Sequence, residues 1–147
     1  MKDYDCLKLN HQLCYPLYLC SKEVINKYTP ILKKLNLTYT QHIVMMYFWE
    51  KKECNVKTLS KTLLIDSSTL TPLLKKLENK GFIERKRNKS DERNLILNLT
   101  SKGEKLKREA LIVPSYMQKC IDISEEEAKY LYNILYKILN NIEKEND

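Results

Sequence analysis

In the stretch HQLCYPLYLC, residues 11–20, cysteine, tyrosine and histidine are packed closely enough to do chemistry. Cys14 and Cys20 frame Tyr15 and Tyr18, and Cys6, Cys54 and Cys120 complete a set of five cysteines. Such thiols can form a disulfide, hold a metal, or react. No C-x-x-C occurs and His11 and His42 are the only histidines, so a zinc site would lack ligands and no cofactor is expected. If residues 11–20 are helical, Cys14 and Cys20 are separated by about 9 Å of rise, too far for a bridge. What remains is a reactive thiolate, the form that attacks peroxide oxygen, or the small buried apolar group that most free cysteines are.

The elements that must position these residues read as mainly α. Two glycines and four prolines in 147 residues, against many Leu, Ile and Lys, favour helix, and the length suits one domain with a real core. MKDYDC has no apolar signal core, and the longest uncharged apolar run, IVMMYFW, is too short to span a bilayer; a cytoplasmic location is expected. A first helix is expected from about Gln12 to Tyr28, with Pro16 in its first turn. Pro30 then opens a second over Ile31 to Leu35, and an apolar block follows from Thr40 to Trp49.

Val56, Leu59, Leu63 and Leu64 suit a short amphipathic helix, and Ile65-Asp66 a turn. Leu70, Leu73, Leu74 and Leu77 form a one-face stripe that ends at Lys80-Gly81. Asp66 or Ser67 is the N-cap by residue type, but Pro72 then lies beyond the first turn, so the helix starts nearer Ser68–Thr69 or is distorted. FIERKR and NLILNL alternate apolar with polar residues around NKSDER, a β-hairpin with a charged tip. Thr100 caps the next helix, which Pro114 should bend or end. Ser124 opens the last one, where Ala128, Leu131, Leu135, Ile138 and Ile142 make an a/d seam for pairing within the chain or across a dimer.

Charge divides the chain. Residues 51–108 hold sixteen Lys/Arg and seven Asp/Glu, a net of +9, while the flanks net −2 within a total of +7. A basic middle between near-neutral ends points to an anionic partner for the middle alone, with a generally basic, solvated surface as the alternative. Helix, turn, helix, glycine stop and basic hairpin, in that order, make a winged helix-turn-helix. With the leucines inward, Ser67, Ser68, Thr69, Thr71, Pro72, Lys75 and Lys76 are the candidates for the major groove. Arg85, Lys86, Arg87, Lys89 and Arg93 could grip phosphates, and one arginine at the tip could enter a minor groove.

The stretch DSSTLTPLLKKLENKGFIERKRNKSDERNLILNLTSKG resembles the DNA-binding lobe of the MarR family of bacterial regulators, whose wing element D-x-R is matched by Asp91 and Arg93. The resemblance covers essentially the whole chain. It implies one MarR-type domain over residues 1–147, with a winged helix-turn-helix lobe at about 52–100 and helical dimerisation regions at about 8–50 and 101–145. It further implies a non-enzymatic homodimer on an inverted-repeat operator in double-stranded DNA, with Arg93 probing the minor groove and Asp91 bracing the wing.

Within that family the N-terminus is similar to the organic-hydroperoxide sensors called OhrR, through Gln12-Leu13-Cys14, Leu17-Tyr18, and then Tyr28 and Tyr39 in KYTPILKKLNLTYTQ. This resemblance implies that Cys14 is the redox sensor of a repressor, with Tyr28 and Tyr39, in the family from the other subunit, donating hydrogen bonds to its sulfur. Tyr15 and Tyr18 would belong to the hydroperoxide pocket, and Cys120 falls about where a resolving cysteine stands, bridging to Cys14 across the dimer. The alternative is a MarR-type regulator released by a small aromatic or phenolic ligand, its cysteines incidental. A thiol peroxidase is the remote alternative; KLNHQLC lacks the P-x-x-x-[ST]-x-x-C of peroxiredoxins. Cys20 reads as an ordinary helix residue, and the sequence assigns no role to Cys6 or Cys54.

Overall fold

A computed structural model describes residues 4–88 and 90–145, excluding the side chains of 88 and 91–94. Two 3-10 turns, Asp5–Leu7 and Leu9–His11, lead into α1 (Cys14–Lys34), which turns through Asn36 into α2 (Tyr39–Lys51). Then follow β1 (Glu53–Cys54), α3 (Val56–Leu63), α4 (Ser67–Asn79), β2 (Ile83–Asn88), β3 (Asp91–Leu99), α5 (Ser101–Glu109), α6 (Ile112–Ile121) and α7 (Glu125–Glu145). The chain is thus mainly α with a small β wing, as expected.

α1 is one helix where the sequence suggested two. Pro30 lies inside it and leaves the Asn26 carbonyl without its usual donor, but both residues are exposed and water can take that acceptor. The opposite face continues unbroken through half-buried Val24 and Tyr28 to buried Ile31, Leu32 and Leu35, so packing outweighs the lost bond. α2 is held at its start by a reciprocal capping box: the Gln41 N–H donates to Thr38 Oγ1 at 3.3 Å and the Thr38 N–H to Gln41 Oε1 at 3.1 Å.

α4 starts at Ser67 and runs through Pro72, with Asp66 in the N-cap position but its side chain making no cap bond. A proline in a helix interior costs about 3 kcal/mol. Against that, Leu70, Leu73, Leu74 and Leu77 are all buried, and each apolar side chain of this size contributes about 1.5–3 kcal/mol. The stripe wins, and the helix accepts the proline on its exposed face. α4 ends as the sequence indicated. Gly81 takes φ +79 and the Phe82 N–H reaches back to the Leu77 carbonyl at 3.1 Å.

The hairpin is tighter than expected: β2 runs to Asn88 and β3 begins at Asp91, taking in most of the anticipated loop. A third strand, unpredicted, lies on the other side of β3, giving the antiparallel order β1-β3-β2 with Glu53 opposite Asn98 and Cys54 opposite Leu97. Thr100 caps α5, accepting the Gly103 N–H at 3.0 Å. The chain breaks at Ala110–Leu111, ahead of Pro114, which sits in the first turn of α6 where its missing N–H is harmless.

The core joins α1, α2, the leucine stripe, the sheet and α6 through Leu32, Phe48, Leu59, Leu97, Val113 and Met117. Trp49 anchors α2 to α5, its Nε1 donating to the Gly103 carbonyl at 2.9 Å. α7 is different. Ser124 and Glu127 cap it reciprocally, at 3.2 and 2.9 Å, yet it buries no residue. Leu131 and Ile142 of its seam are 49% and 53% exposed, and no helix among the described residues is long and apolar enough to cross a membrane.

Candidate DNA-binding face and thiol site

The two-helix unit is made by local devices. Asn55 caps α3 through its side chain, which accepts the Thr58 N–H at 2.7 Å. Leu64 stops α3 in the left-handed region at φ +53, and Ser60 Oγ closes the turn by donating to the Ile65 carbonyl at 2.6 Å. α4 then presents Ser67, Ser68, Thr69, Thr71, Pro72, Lys75 and Lys76 on one exposed surface. Thr71 turns its hydroxyl onto the Ser67 carbonyl at 2.8 Å, so its methyl is the group left outward. This face can meet base edges with small groups and phosphates with lysines.

In the wing, Arg87 is exposed, whereas Arg85 is half-buried and its Nε donates to Glu78 Oε2 at 3.0 Å. Arg85 therefore fastens the wing to α4, a task its residue type did not reveal. Lys86 pairs with Glu84 at 3.0 Å. Lys89 and the side chains of Asp91 and Arg93 lie outside the described residues; the backbone of Asp91 and Arg93 belongs to β3.

Cys14 is the first residue of α1 and is exposed, at the end of the helix where unpaired N–H groups favour negative charge. Leu13, Tyr15, Leu17 and Tyr18 around it are exposed as well, an apolar collar open to solvent. The preceding turn is tied back: His11 Nδ1 donates to the Asp5 carbonyl at 2.8 Å and the Gln12 side-chain amide to the Cys6 carbonyl. His11 stands in the 3-10 turn before α1, and no group of three His, Cys, Asp or Glu among the described residues could hold a metal.

Tyr28 and Tyr39 meet, with ring centroids 4.8 Å apart. Burial, and then the neighbouring Tyr39, raise the Tyr28 hydroxyl above its ordinary range. Fourteen residues of α1 separate Tyr28 from Cys14, about 21 Å of rise, so the two cannot touch within one chain. Behind the pair lies a residue that the sequence reading left without a role. His42 is buried, 6.1 Å from the Tyr28 ring and 5.9 Å from Trp49, and its Nδ1 has no hydrogen-bond partner. Burial holds its imidazole below the ordinary range.

Lys80 was equally unmarked. Its Nζ reaches from the end of α4 to the corner between α1 and α2. Of the remaining cysteines, Cys54 is buried in β1 and its thiol is pushed up to about 11 by desolvation, which makes it inert. Cys20 and Cys120 are both exposed.

Comparison with known proteins fixes the family. Residues 26–110 match the model of the transcriptional regulators SarA/Rot. The chain is 39% identical over 97% of both sequences to the organic hydroperoxide resistance transcriptional regulator of Bacillus subtilis. It is 45% identical over 90% of both to the HTH-type transcriptional regulator SarZ of Staphylococcus haemolyticus. Among solved structures, AbfR of Staphylococcus epidermidis is 32% identical, with a TM-score of 0.78 over 95% of this chain and 97% of that one. A structure of reduced AbfR bound to DNA gives 0.77 at 30% identity, covering 96% and 99%. These matches, together with the winged helix-turn-helix built by α3, α4, β2 and β3, place the chain in the MarR family of DNA-binding transcriptional regulators, on the branch that includes the organic hydroperoxide resistance regulator.

Proposed function

We propose that this protein is a homodimeric repressor that binds an inverted-repeat operator when reduced and releases it when an organic hydroperoxide oxidises Cys14. The observation that carries the reading is the exposed Cys14 thiol at the N-terminus of a 21-residue helix, inside a collar of Leu13, Tyr15, Leu17 and Tyr18. The helix end suits a thiolate, and the collar suits a greasy peroxide. The Tyr28–Tyr39 pair, out of reach of Cys14 in its own chain, supplies phenol donors to the Cys14 of a second chain. The unburied seam of α7 supports such a partner.

The chemistry balances. The Cys14 thiolate attacks the terminal peroxide oxygen, the O–O bond breaks, and the alkoxide leaves as an alcohol after protonation. The resulting sulfenic acid is attacked by the Cys120 thiolate of the other subunit, expelling water and forming a disulfide. Similarity to the hydroperoxide resistance regulator, and to AbfR, solved in reduced, overoxidised and disulfide-formed states, supports this sequence of events. On DNA, α4 occupies the major groove and Arg93 the minor groove, with Arg87 and Lys89 on phosphates.

The test is operator affinity by fluorescence anisotropy, using the DNA upstream of the protein's own gene. Near-stoichiometric cumene hydroperoxide should release the wild-type protein and leave Cys14→Ser bound. If the wild-type complex holds through peroxide, the redox reading falls and a regulator released by a small aromatic ligand takes its place.

A further inference from the structure

Cys20 and Cys120 of the same protomer line one cavity of about 610 Å³. Two helical stripes bring them there. α1 packs on α6, and Val24 and Met117 both belong to the buried cluster or pack against it. Cys20 stands one turn before Val24 and Cys120 one turn after Met117, so each continues its helix's facing stripe outward. Cys20, in the first half of α1, and Cys120, at the end of α6, thus meet the same cavity.

Two further features suit the spot to sulfur chemistry. Leu131 of α7 helps make the cavity apolar, while Lys27 brings a cation to it. Tyr116, one turn back on α6, is a neighbour of Cys120, and burial and then this thiol raise its hydroxyl above the ordinary range. Facing helices pack with axes about 8–10 Å apart, and cysteines on such faces can reach the Cα separation of about 4.4–6.8 Å that a disulfide needs.

We propose that Cys20 and Cys120 of one protomer are a second redox pair, which an organic hydroperoxide closes into an intrachain disulfide. One thiolate attacks the terminal peroxide oxygen; the alkoxide departs as an alcohol, and the sulfur becomes a sulfenic acid. The other thiolate attacks that sulfur and water leaves. Two thiols and one hydroperoxide give one disulfide, one alcohol and one water. This pair does not need Cys14. It competes with it, because a Cys120 bound to Cys20 is withdrawn from Cys14 of the other subunit. The two bridges also differ in kind: Cys14–Cys120 links two chains, and Cys20–Cys120 stays within one.

The experiment uses the full-length Cys14→Ser protein, treated with cumene hydroperoxide, quenched with N-ethylmaleimide, and analysed by non-reducing electrophoresis and by mass spectrometry of unreduced tryptic peptides. Expected are a species at monomer mass that carries two fewer maleimide adducts than the reduced chain, and a Cys20–Cys120 linked peptide. Cys14→Ser/Cys20→Ser should show no such link. The proposal is overturned if Cys120 in Cys14→Ser stays alkylatable, oxidises to sulfinic acid without a link, or links only to another chain. Those outcomes leave the Cys14 sensor untouched, since that is read by operator release in Cys20→Ser, where Cys14 and Cys120 are intact.

Discussion

Lys80 Nζ donates to Gln41 Oε1 at 2.8 Å and to the Asn36 carbonyl at 2.7 Å, joining the end of α4 to the corner beside Tyr39. Gln41 is itself in the capping box that starts α2, and the Lys80 carbonyl accepts Lys102 Nζ at 2.7 Å. Burial, then Lys76, lowers the lysine's affinity for its proton. This tie runs from the end of α4, the helix proposed to enter the major groove, to the α1–α2 corner that carries Tyr39. Lys80→Met should lower unfolding stability by about 1 kcal/mol, seen as a lower urea midpoint. It should also shrink the ratio of reduced to oxidised operator affinity.

Tyr28→Phe keeps the ring beside Tyr39 and removes the hydroxyl. Stability should change by less than about 1 kcal/mol, while oxidation of Cys14 should slow by about tenfold, the loss of one hydrogen bond to a charged group. Stopped-flow thiol consumption measures the second effect and thermal unfolding the first. An unchanged rate would show that this phenol does not serve the sulfur.

His42 makes stability depend on acid. Burial lowers its folded-state pKa, so below about pH 6.5 the unfolded chain takes up a proton that the folded chain refuses, and stability falls as pH drops. His42→Phe retains aromatic contact with Tyr28 and Trp49 while removing the unpartnered Nδ1. Urea titrations at pH 5 and 7.5 should show a smaller difference between the two conditions in the variant.

Arg85 and Arg87 sit two residues apart on one strand, but Arg85 is held by Glu78 and Arg87 is exposed. Arg87→Ala should cut the slope of log affinity against log salt by about 1 with little loss of stability. Arg85→Ala breaks the 3.0 Å pair with Glu78 and should cost about 1 kcal/mol of stability. Combining it with Glu78→Gln should give less than the sum, as a double-mutant cycle would report.

Gly103 is required by close approach. A Cβ there would fall 2.2 Å from the Phe82 carbonyl oxygen and 2.6 Å from Leu99 Cδ1, and backbone cannot yield cheaply. Gly103→Ala should destabilise by about 2–3 kcal/mol and loosen the Trp49 bond to the same residue, visible as a fluorescence shift.

Features encoded within a few residues were legible in the sequence. The leucine stripe of α4, its stop at Gly81, the Thr100 cap and the Ser124 start all follow from local spacing and residue type. Features set by partners far along the chain were not. β1 is two residues long and exists because β3 offers an edge, so no periodicity announces it. Pro30 reads as a helix opener until the buried stripe on the other side of α1 is seen to continue past it. Arg85 looks like any wing arginine, Lys80 like any helix-end lysine, and Cys20 falls outside the Cys14 pattern. The surroundings of each are set far along the chain, by Glu78, by Gln41 and by the cavity that Cys20 lines with Cys120. The Tyr28–Tyr39 contact is intermediate: both residues carry the family resemblance, but their tilted ring contact needs the α1–α2 turn.

In the protomer α7 has no fully buried residue, and of its seam only Leu135 and Ile138 are half-buried. If the second chain proposed above covers that seam, part of the folding free energy is bimolecular, and thermal stability should rise with the logarithm of protein concentration. Copy number would then enter the regulator's thermodynamics directly, because dilution alone would weaken the scaffold.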